Sequence, residues 1–292
     1  MFQVNDMRGD MVLSATLRSD LAPIPLTFEG RIRVTQQTAA DFKDDAVITV
    51  NQIPFRIVKC VPILNAGGGP QGREPLSAVE VTAYPDGLQA LGKPRTAAAI
   101  FQNASLAGIY RACGATVPVS GDLTLGRFAC LIGSIPTFHL ARALQEEAAC
   151  VMWRKGGLKV MALRDVLAQV PIDVIDTANS EGIKSETLKA EQIPVFYSIG
   201  PDGKFISAPR TDAAQAVAYT PRKTARALNF MGRVLVRRKT VTGKVNPSIK
   251  GGDVVSVGGV PMVVMTAVQH AENGGDGGGP EQYTRLFLGT LS

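Results

Sequence analysis

The strongest constraint on how this chain can fold is that part of it is written twice. "DAVITVNQIPFRIVKCVPI" runs from Asp45 to Ile63 and "GDVVSVGGVPMVVMTAVQH" from Gly252 to His270. Shifted by 207 positions without a gap, Val47 meets Val254, Val50 meets Val257, Pro54 meets Pro261 and Val61 meets Val268. The match continues through a glycine-rich loop in each copy, "NAGGGPQG" from Asn65 and "NGGDGGGP" from Asn273. It then reaches a further strand, where "SAVEVTAY" (Ser77 to Tyr84) lies over "TRLFLGTL" (Thr284 to Leu291), with Val79 on Leu286 and Val81 on Leu288. Side chains alternate between the faces of a strand, so this alignment keeps the apolar positions in phase. Upstream, "FEGRIRV" (Phe28 to Val34) matches "FMGRVLV" (Phe230 to Val236) at a shift of 202, which makes the second copy five residues longer between its first two strands.

Four features thus recur in one order: a strand of the form Phe-x-Gly-Arg-Val/Ile-x-Val, a hairpin with a proline on its return strand, a glycine-rich tip and a closing strand. Alternating strands separated by turn signals predict an antiparallel unit the size of a small barrel. Pro54 and Pro261 lack an N–H donor, which assigns them to a sheet edge or to the first residue of a strand. Between the copies the texture changes. "TAAAIFQNASLAGIYRACG" (Thr96 to Gly114) is alanine-rich and stops at a glycine, the pattern of a helix with a glycine C-cap. A second helix is expected to start near Ser134 to Pro136, with Leu140, Leu144, Ala148 and Val151 on one face and His139, Arg142 and Glu146 on the other. "VMWRKGGLKVMAL" (Val151 to Leu163) predicts a hairpin turning at Lys155 to Gly157. The expected fold is mainly β with α+β character: two similar small antiparallel β-barrel domains, over residues 1–94 and 196–292, flanking an inserted α+β domain over 95–195.

Residues suited to chemistry are sparse. Cys60, Cys113, Cys130 and Cys150 are widely spaced without a CxxC pair, and His139 and His270 stand far apart, so zinc, haem and iron-sulfur groups find no clustered ligands. The thiols read as buried and reduced. Glu146 and Glu147 are neighbours and point about 100° apart on a helix, which prevents an acid-base dyad. The glycine loops lack a GxxxxGKS/T spacing and read as hairpin tips. The chain is therefore read as a non-enzyme, with no catalytic residue, cofactor or metal. No basic leader precedes an apolar stretch and no window holds about 18 uninterrupted apolar residues, so folding in a cytoplasm without a membrane is expected.

The net charge of +6 is uneven. From Ala213 to Gly252 there is no acidic residue, while Arg222, Lys223, Arg226, Arg233, Arg237, Arg238, Lys239, Lys244 and Lys250 fall in that interval. A polyanion or an acidic protein face could dock there. Aromatic residues make up 6% of the chain, few for a single-strand binding groove that needs stacking platforms.

Two like units in one chain give a cyclic trimer six similar surfaces, a way to join a sixfold partner to a threefold one. The layout resembles the baseplate hub proteins of contractile-tailed bacteriophages, with the late control D proteins and the N-terminal half of type VI secretion spike proteins. The resemblance rests on "SATLRSDLAPIPLTFEG", on "LARALQEEAACVMWRKGGLKV", and on "VNPSIKGGDVVSVGGVPMVV" leading to "AVQH" and "TRLFLGTL". It implies a structural virion protein, a homotrimer whose units form a pseudo-sixfold ring between tail tube and spike. The implied partners are a second copy, the tail tube or tube-initiator protein, the spike and other baseplate proteins, with DNA passing through the lumen. The implied place is the virion tail baseplate, after assembly in the host cytoplasm. At this length a spike or lysozyme domain is expected on a separate chain. The expected interaction residues are Arg233, Arg237, Arg238, Lys239 and His270, with Arg233 and Arg237 on one side of a strand and Val234, Val236 and Arg238 on the other. Three alternatives stay open: a tail-tip protein of a non-contractile phage, a tandem-barrel nucleic-acid-binding module, and a hydrolase using His139.

Overall fold

The computed structural model describes residues 2–63, 77–176, 180–182, 193–209, 215–274 and 279–292. The first copy supplies β1 (Val12–Asp20), β2 (Leu26–Val34), β3 (Val47–Val50), β4 (Ile53–Ile63) and β5 (Ser77–Pro85). An α+β segment follows: β6 (Ala99–Ser105), α1 (Leu106–Ala112), β7 (Val119–Ser120), β8 (Thr124–Cys130), α2 (Pro136–Glu146), β9 (Ala149–Arg154), β10 (Gly157–Ala162) and α3 (Leu163–Leu167). Next come the short strands β11 (Asp173–Ile175), β12 (Ser180–Gly182), β13 (Val195–Ile199), β14 (Phe205–Ser207) and β15 (Val217–Tyr219), then α4 (Ala225–Met231). The second copy closes the chain with β16 (Leu235–Gly243), β17 (Val254–Val257), β18 (Val260–Glu272) and β19 (Glu281–Leu291).

The repeated hairpin folds the same way twice. Val47 pairs with Arg56 and Val50 with Ile53 in β3·β4; Val254 pairs with Val263 and Val257 with Val260 in β17·β18. Each turn has two residues of positive φ, Asn51 (47°) and Gln52 (66°) in one copy, Gly258 (61°) and Gly259 (80°) in the other. Such turns match the twist of the strands they join. Pro54 and Pro261 each stand second in their strand, opposite Thr49 and Ser256. The ladder of β4 on β5 slips between Ile57 and Lys59, and that of β18 on β19 between Val264 and Thr266, so both copies carry a bulge at the same place. Sheet order agrees as well: β1-β2-β5-β4-β3 in the first copy, β12-β16-β19-β18-β17 in the second.

Two of the sequence matches are corrected by the ladders. Lys59 faces Thr82 while Thr266 faces Phe287, which sets Val81 over Leu286 and Ala83 over Leu288. The slip of two residues leaves every side chain on its expected face, because the strand period is two. The first strands differ more. Gly30 faces Val81 and Val241 faces Leu286, so Gly30 corresponds to Val241 and not to Gly232. "FMGRVLV" is the end of helix α4 and the start of β16: Thr224 caps the helix by accepting the Ala227 N–H at 3.3 Å, and Gly232 ends it. Phe28 is fully buried and lies where a side chain on Gly30 would be, with Cζ 2.8 Å from the Cβ position. Phe230 is half-buried between the guanidinium groups of Arg226 and Arg233, at 5.1 and 5.3 Å.

The two copies share one sheet. β1 runs antiparallel to β18, from Ser14 opposite Glu272 to Asp20 opposite Thr266, and this joint makes a continuous 11-stranded sheet. Among the described residues no barrel closes, which revises the expectation of two separate barrels: each unit is an open sheet completed by its neighbour. β11 and β12 also belong to this sheet, pairing with β17 and β16.

One face of the sheet is apolar in both copies, and the α+β segment covers it over the first copy; in the second copy the same segment packs on the other face, at Val254 and Val263. Phe28, Ile32, Phe55 and Ile57 form one core with Leu106, Ile109, Tyr110, Leu140 and Val151, all fully buried. The Tyr110 hydroxyl donates to the Pro23 carbonyl at 3.3 Å. A smaller cluster, with Val241, Val255, Val264, Leu286 and Leu288, underlies the second copy. The helix expected over Thr96 to Gly114 is half strand: Ala99–Ser105 pairs with β8, and the helix begins only after Ser105, whose hydroxyl accepts the Gly108 N–H at 3.0 Å. Cross-strand pairing overrides the weak alanine preference there. The second helix forms as α2, with Pro136 in its first turn, but it ends before Ala148, and Val151 lies in β9. The hairpin turns at Lys155 and Gly156. Cys113, Cys130 and Cys150 are buried and Cys60 is half-buried; none is disulfide-bonded. Burial pushes the Cys113 thiol up to about 11 and the Cys150 thiol up to about 12, which keeps both protonated at neutral pH.

Candidate interaction surface

A joint between two like units leaves two unlike ends. In the second copy, β18 is covered on one edge by β17 as far as the bulge and by β1 beyond it. In the first copy, β4 is covered by β3 as far as the bulge, and beyond it residues Lys59 to Ile63 have no neighbouring strand on that edge among the described residues. β12 stands to β16 as β1 stands to β2: Ser180 faces Val241 as Ala15 faces Gly30. Among the described residues the outer edge of β12 is also without a strand. One half of the internal joint is therefore offered at each end of the sheet.

The open edge of β4 is guarded. Cys60 N–H donates to Asp44 Oδ1 at 2.8 Å, and the thiol donates to the Phe42 carbonyl at 3.1 Å. Burial raises the thiol's proton affinity, and the Asp44 charge raises it further. Backbone groups alternate in direction along an antiparallel strand. Cys60 and Pro62 thus point to the open side, and Pro62 has no N–H to offer.

The face of the sheet opposite the core is mostly polar around the joint, whereas at the β17·β18 hairpin it is apolar and packs Val254 and Val263 against Cys150, Met152, Leu163 and Val166. It carries Arg18 with the largely buried Asp20 at 2.7 Å, and Arg31 with Glu80 at 3.9 Å, an exposed pair worth about 1 kcal/mol or less. His270 sits on this face at the joint. Its Nδ1 lies 2.8 Å from Thr16 Oγ1 across β1·β18, its ring 5.0 Å from that of Tyr283, and Nε2 3.9 Å from Glu272. Of the basic group, Arg233 precedes β16 and stacks on Phe230, so it does not alternate with Arg237 along one strand. Arg237 covers the Phe287 ring at 5.6 Å, Arg238 is the bulged residue and donates from Nε to Thr290 Oγ1 at 3.3 Å, and Lys239 faces Gly182 of β12. Three of the four basic residues therefore line β16 beside the open strand β12. His139, in α2, lies in a separate cleft with Arg142, Glu146 and Lys223. The glycine tip at Gly67 to Gly69 lies outside the described residues, as does most of the one from Gly274 to Gly279.

No protein-family model matches the chain, and no curated protein matches it. Solved structures do. A tail protein from Neisseria meningitidis MC58 superposes with a TM-score of 0.62 at 11% identity, over 99% of this chain and 96% of its own. The 43 kDa tail protein of prophage MuSo2 from Shewanella oneidensis gives 0.63 at 12% identity, over 99% and 97%. The chain has the fold of these phage tail proteins. The E. coli c3393 protein, a type VI secretion component described as similar to the T4 tail proteins gp27 and gp5, gives 0.58 at 9% identity, over 99% of this chain and 76% of its own. Among the described residues no helix is long and apolar enough to cross a membrane, and no three His, Cys, Asp or Glu side chains gather as ion ligands.

Proposed function

We propose that this chain is a structural tail protein, a baseplate hub that closes head to tail into a homotrimeric ring. The observation that carries the reading is the β1·β18 joint together with the two open strand edges it leaves. In the ring, β12 of one chain adds to the β4 edge of the next, repeating between chains the joint that already exists within each. A heterologous contact of this kind either closes or grows into a filament, and three chains of two units each present six like units to a tube. Such a ring fits a sixfold tail tube on one side and a threefold spike on the other. Its sheet face, polar around the internal joint, suits a hydrated channel through which DNA passes, and Arg237, Arg238, Lys239 and His270 stand near the joints, with Arg233 at the rim. The shared fold with tail proteins and with a type VI secretion component supports a place in the virion tail, beside tube and spike proteins. The test is the rotational symmetry of the purified assembly in averaged electron micrographs: a ring that looks sixfold at low resolution and threefold in detail supports the reading, and particles that stay single chains with or without tail partners refute it.

A further inference from the structure

The two copies meet over a cavity of about 400 Å³. Its floor is two facing pairs of the β1·β18 ladder, Leu17 opposite Gln269 and Ser19 opposite Ala267. One wall comes from the first copy and the α+β segment, with Leu26, Ile53 and the buried ring of Trp153; the other is the loop before β17, with Val245, Pro247 and Ile249. The loop wall is fixed before anything enters. Gln269 holds it by donating to the Asn246 carbonyl at 2.9 Å and accepting from the Thr284 hydroxyl at 2.7 Å, and the Gly251 N–H donates to Ser19 Oγ at 3.0 Å. A preformed, mainly apolar hollow of this size at the boundary of two units has the form of a small-molecule site.

One corner of the hollow is polar. Ser19 is buried, and its hydroxyl, which accepts from Gly251, has no acceptor of its own among the described residues. Lys250 precedes Gly251, so the only formal charge among the described lining residues enters at the same corner. The carboxylate of Asp253 does not neutralise it, being engaged with Arg154 at 2.6 Å and with the Lys250 backbone N–H at 2.7 Å. A hydroxyl donor and an ammonium beside an apolar hollow without an acid fit a carboxylate carried on an apolar body.

We propose that this cavity binds a medium-chain carboxylic acid in its ionised form, with the carboxylate at Ser19 Oγ and Lys250 and the alkyl chain against Leu26, Ile53, Trp153 and Ile249. Such an occupant touches both copies at once and stabilises their joint by mass action, whether or not the chain closes into a ring.

Trp153 is the only tryptophan of the chain, so its fluorescence reads this cavity directly. The full-length chain is titrated with decanoate below its micelle concentration, with decanol and decyltrimethylammonium as the neutral and cationic counterparts. Decanoate is expected to shift the Trp153 emission and to saturate in the micromolar range, decanol to bind about tenfold more weakly, and the cation to give no saturable shift. Lys250→Glu, at an exposed position, is expected to weaken decanoate about tenfold or more and to leave decanol unchanged. Equal affinity for decanoate and decanol, or an unaltered decanoate affinity in Lys250→Glu, overturns the carboxylate assignment. The absence of a saturable shift with all three overturns the site. If a peptide with an apolar C-terminal residue shifts the emission where decanoate does not, the cavity belongs to a protein partner and the proposal fails.

Discussion

Replacing Phe28 with alanine is expected to lower the stability of the chain by about 3–5 kcal/mol, and replacing Phe230 by about 1 kcal/mol or less. The two residues look equivalent in the sequence, since each begins a Phe-x-Gly-Arg stretch, and the structure makes them opposites. Phe28 is fully buried, 6.1 Å from the Phe55 ring, and fills the space over Gly30. Its removal leaves a cavity bounded by the sheet and the segment that covers it, a space that backbone on both sides keeps from collapsing. Phe230 is half-buried and held by two arginines at the surface. Urea unfolding of both variants, with the slope unchanged, measures the difference. Equal losses would show that the second copy does contain a strand of the Phe28 type.

Gly251→Val is expected to cost about 3 kcal/mol, a large loss for a residue at a loop. A Cβ there meets backbone at 2.9 and 3.1 Å, the Ser19 and Asp20 carbonyl groups of β1, which cannot rotate away as a side chain would. Relief requires β1 to move off the second copy and so strains the joint from Asp20 toward Ser14. Hydrogen exchange should show the loss concentrated in β1 and in Thr266 to Glu272 of β18, with the β3·β4 hairpin unaffected. Uniform loss of protection through both copies would mean that the joint is not a separable contact.

The hairpins were legible because everything that defines them is local: alternation of valines, a two-residue turn and a proline near the start of the return strand. The bulges at Val58 and Met265 were not, since an extra residue in one strand leaves no mark of its own in the residue types. The closing strand was misplaced by two because the loops leading to it differ in length; the bulge, common to both copies, shifts neither. Matching letters failed for "FMGRVLV" because Thr224 starts a helix just upstream, and helix and strand share the same few residues at their boundary. β6 was hidden under alanines whose pairing with β8 is decided by the fold. β11 and β12 have three residues each, too short for a pattern. The joint between the copies is a contact between residues more than 240 positions apart, which no local pattern announces. His270 is marked in the sequence by its place near the end of a strand, but Thr16, which it meets across the joint, had no sequence signal.

The most direct test of the repeated joint is a disulfide between chains. Thr16 faces His270 within the chain, and the corresponding positions across two chains are Glu181 on β12 and Ile63 on β4. Non-hydrogen-bonded pairs of an antiparallel ladder bring Cα atoms to about 4.5 Å, within reach of a disulfide. Glu181→Cys with Ile63→Cys, in a Cys60→Ser background, should oxidise in the assembled protein to a closed species of three chains, each of 30.9 kDa, while either single substitution gives none. Oxidation of assembled particles that yields only single chains would contradict the claim that the ring repeats its internal joint.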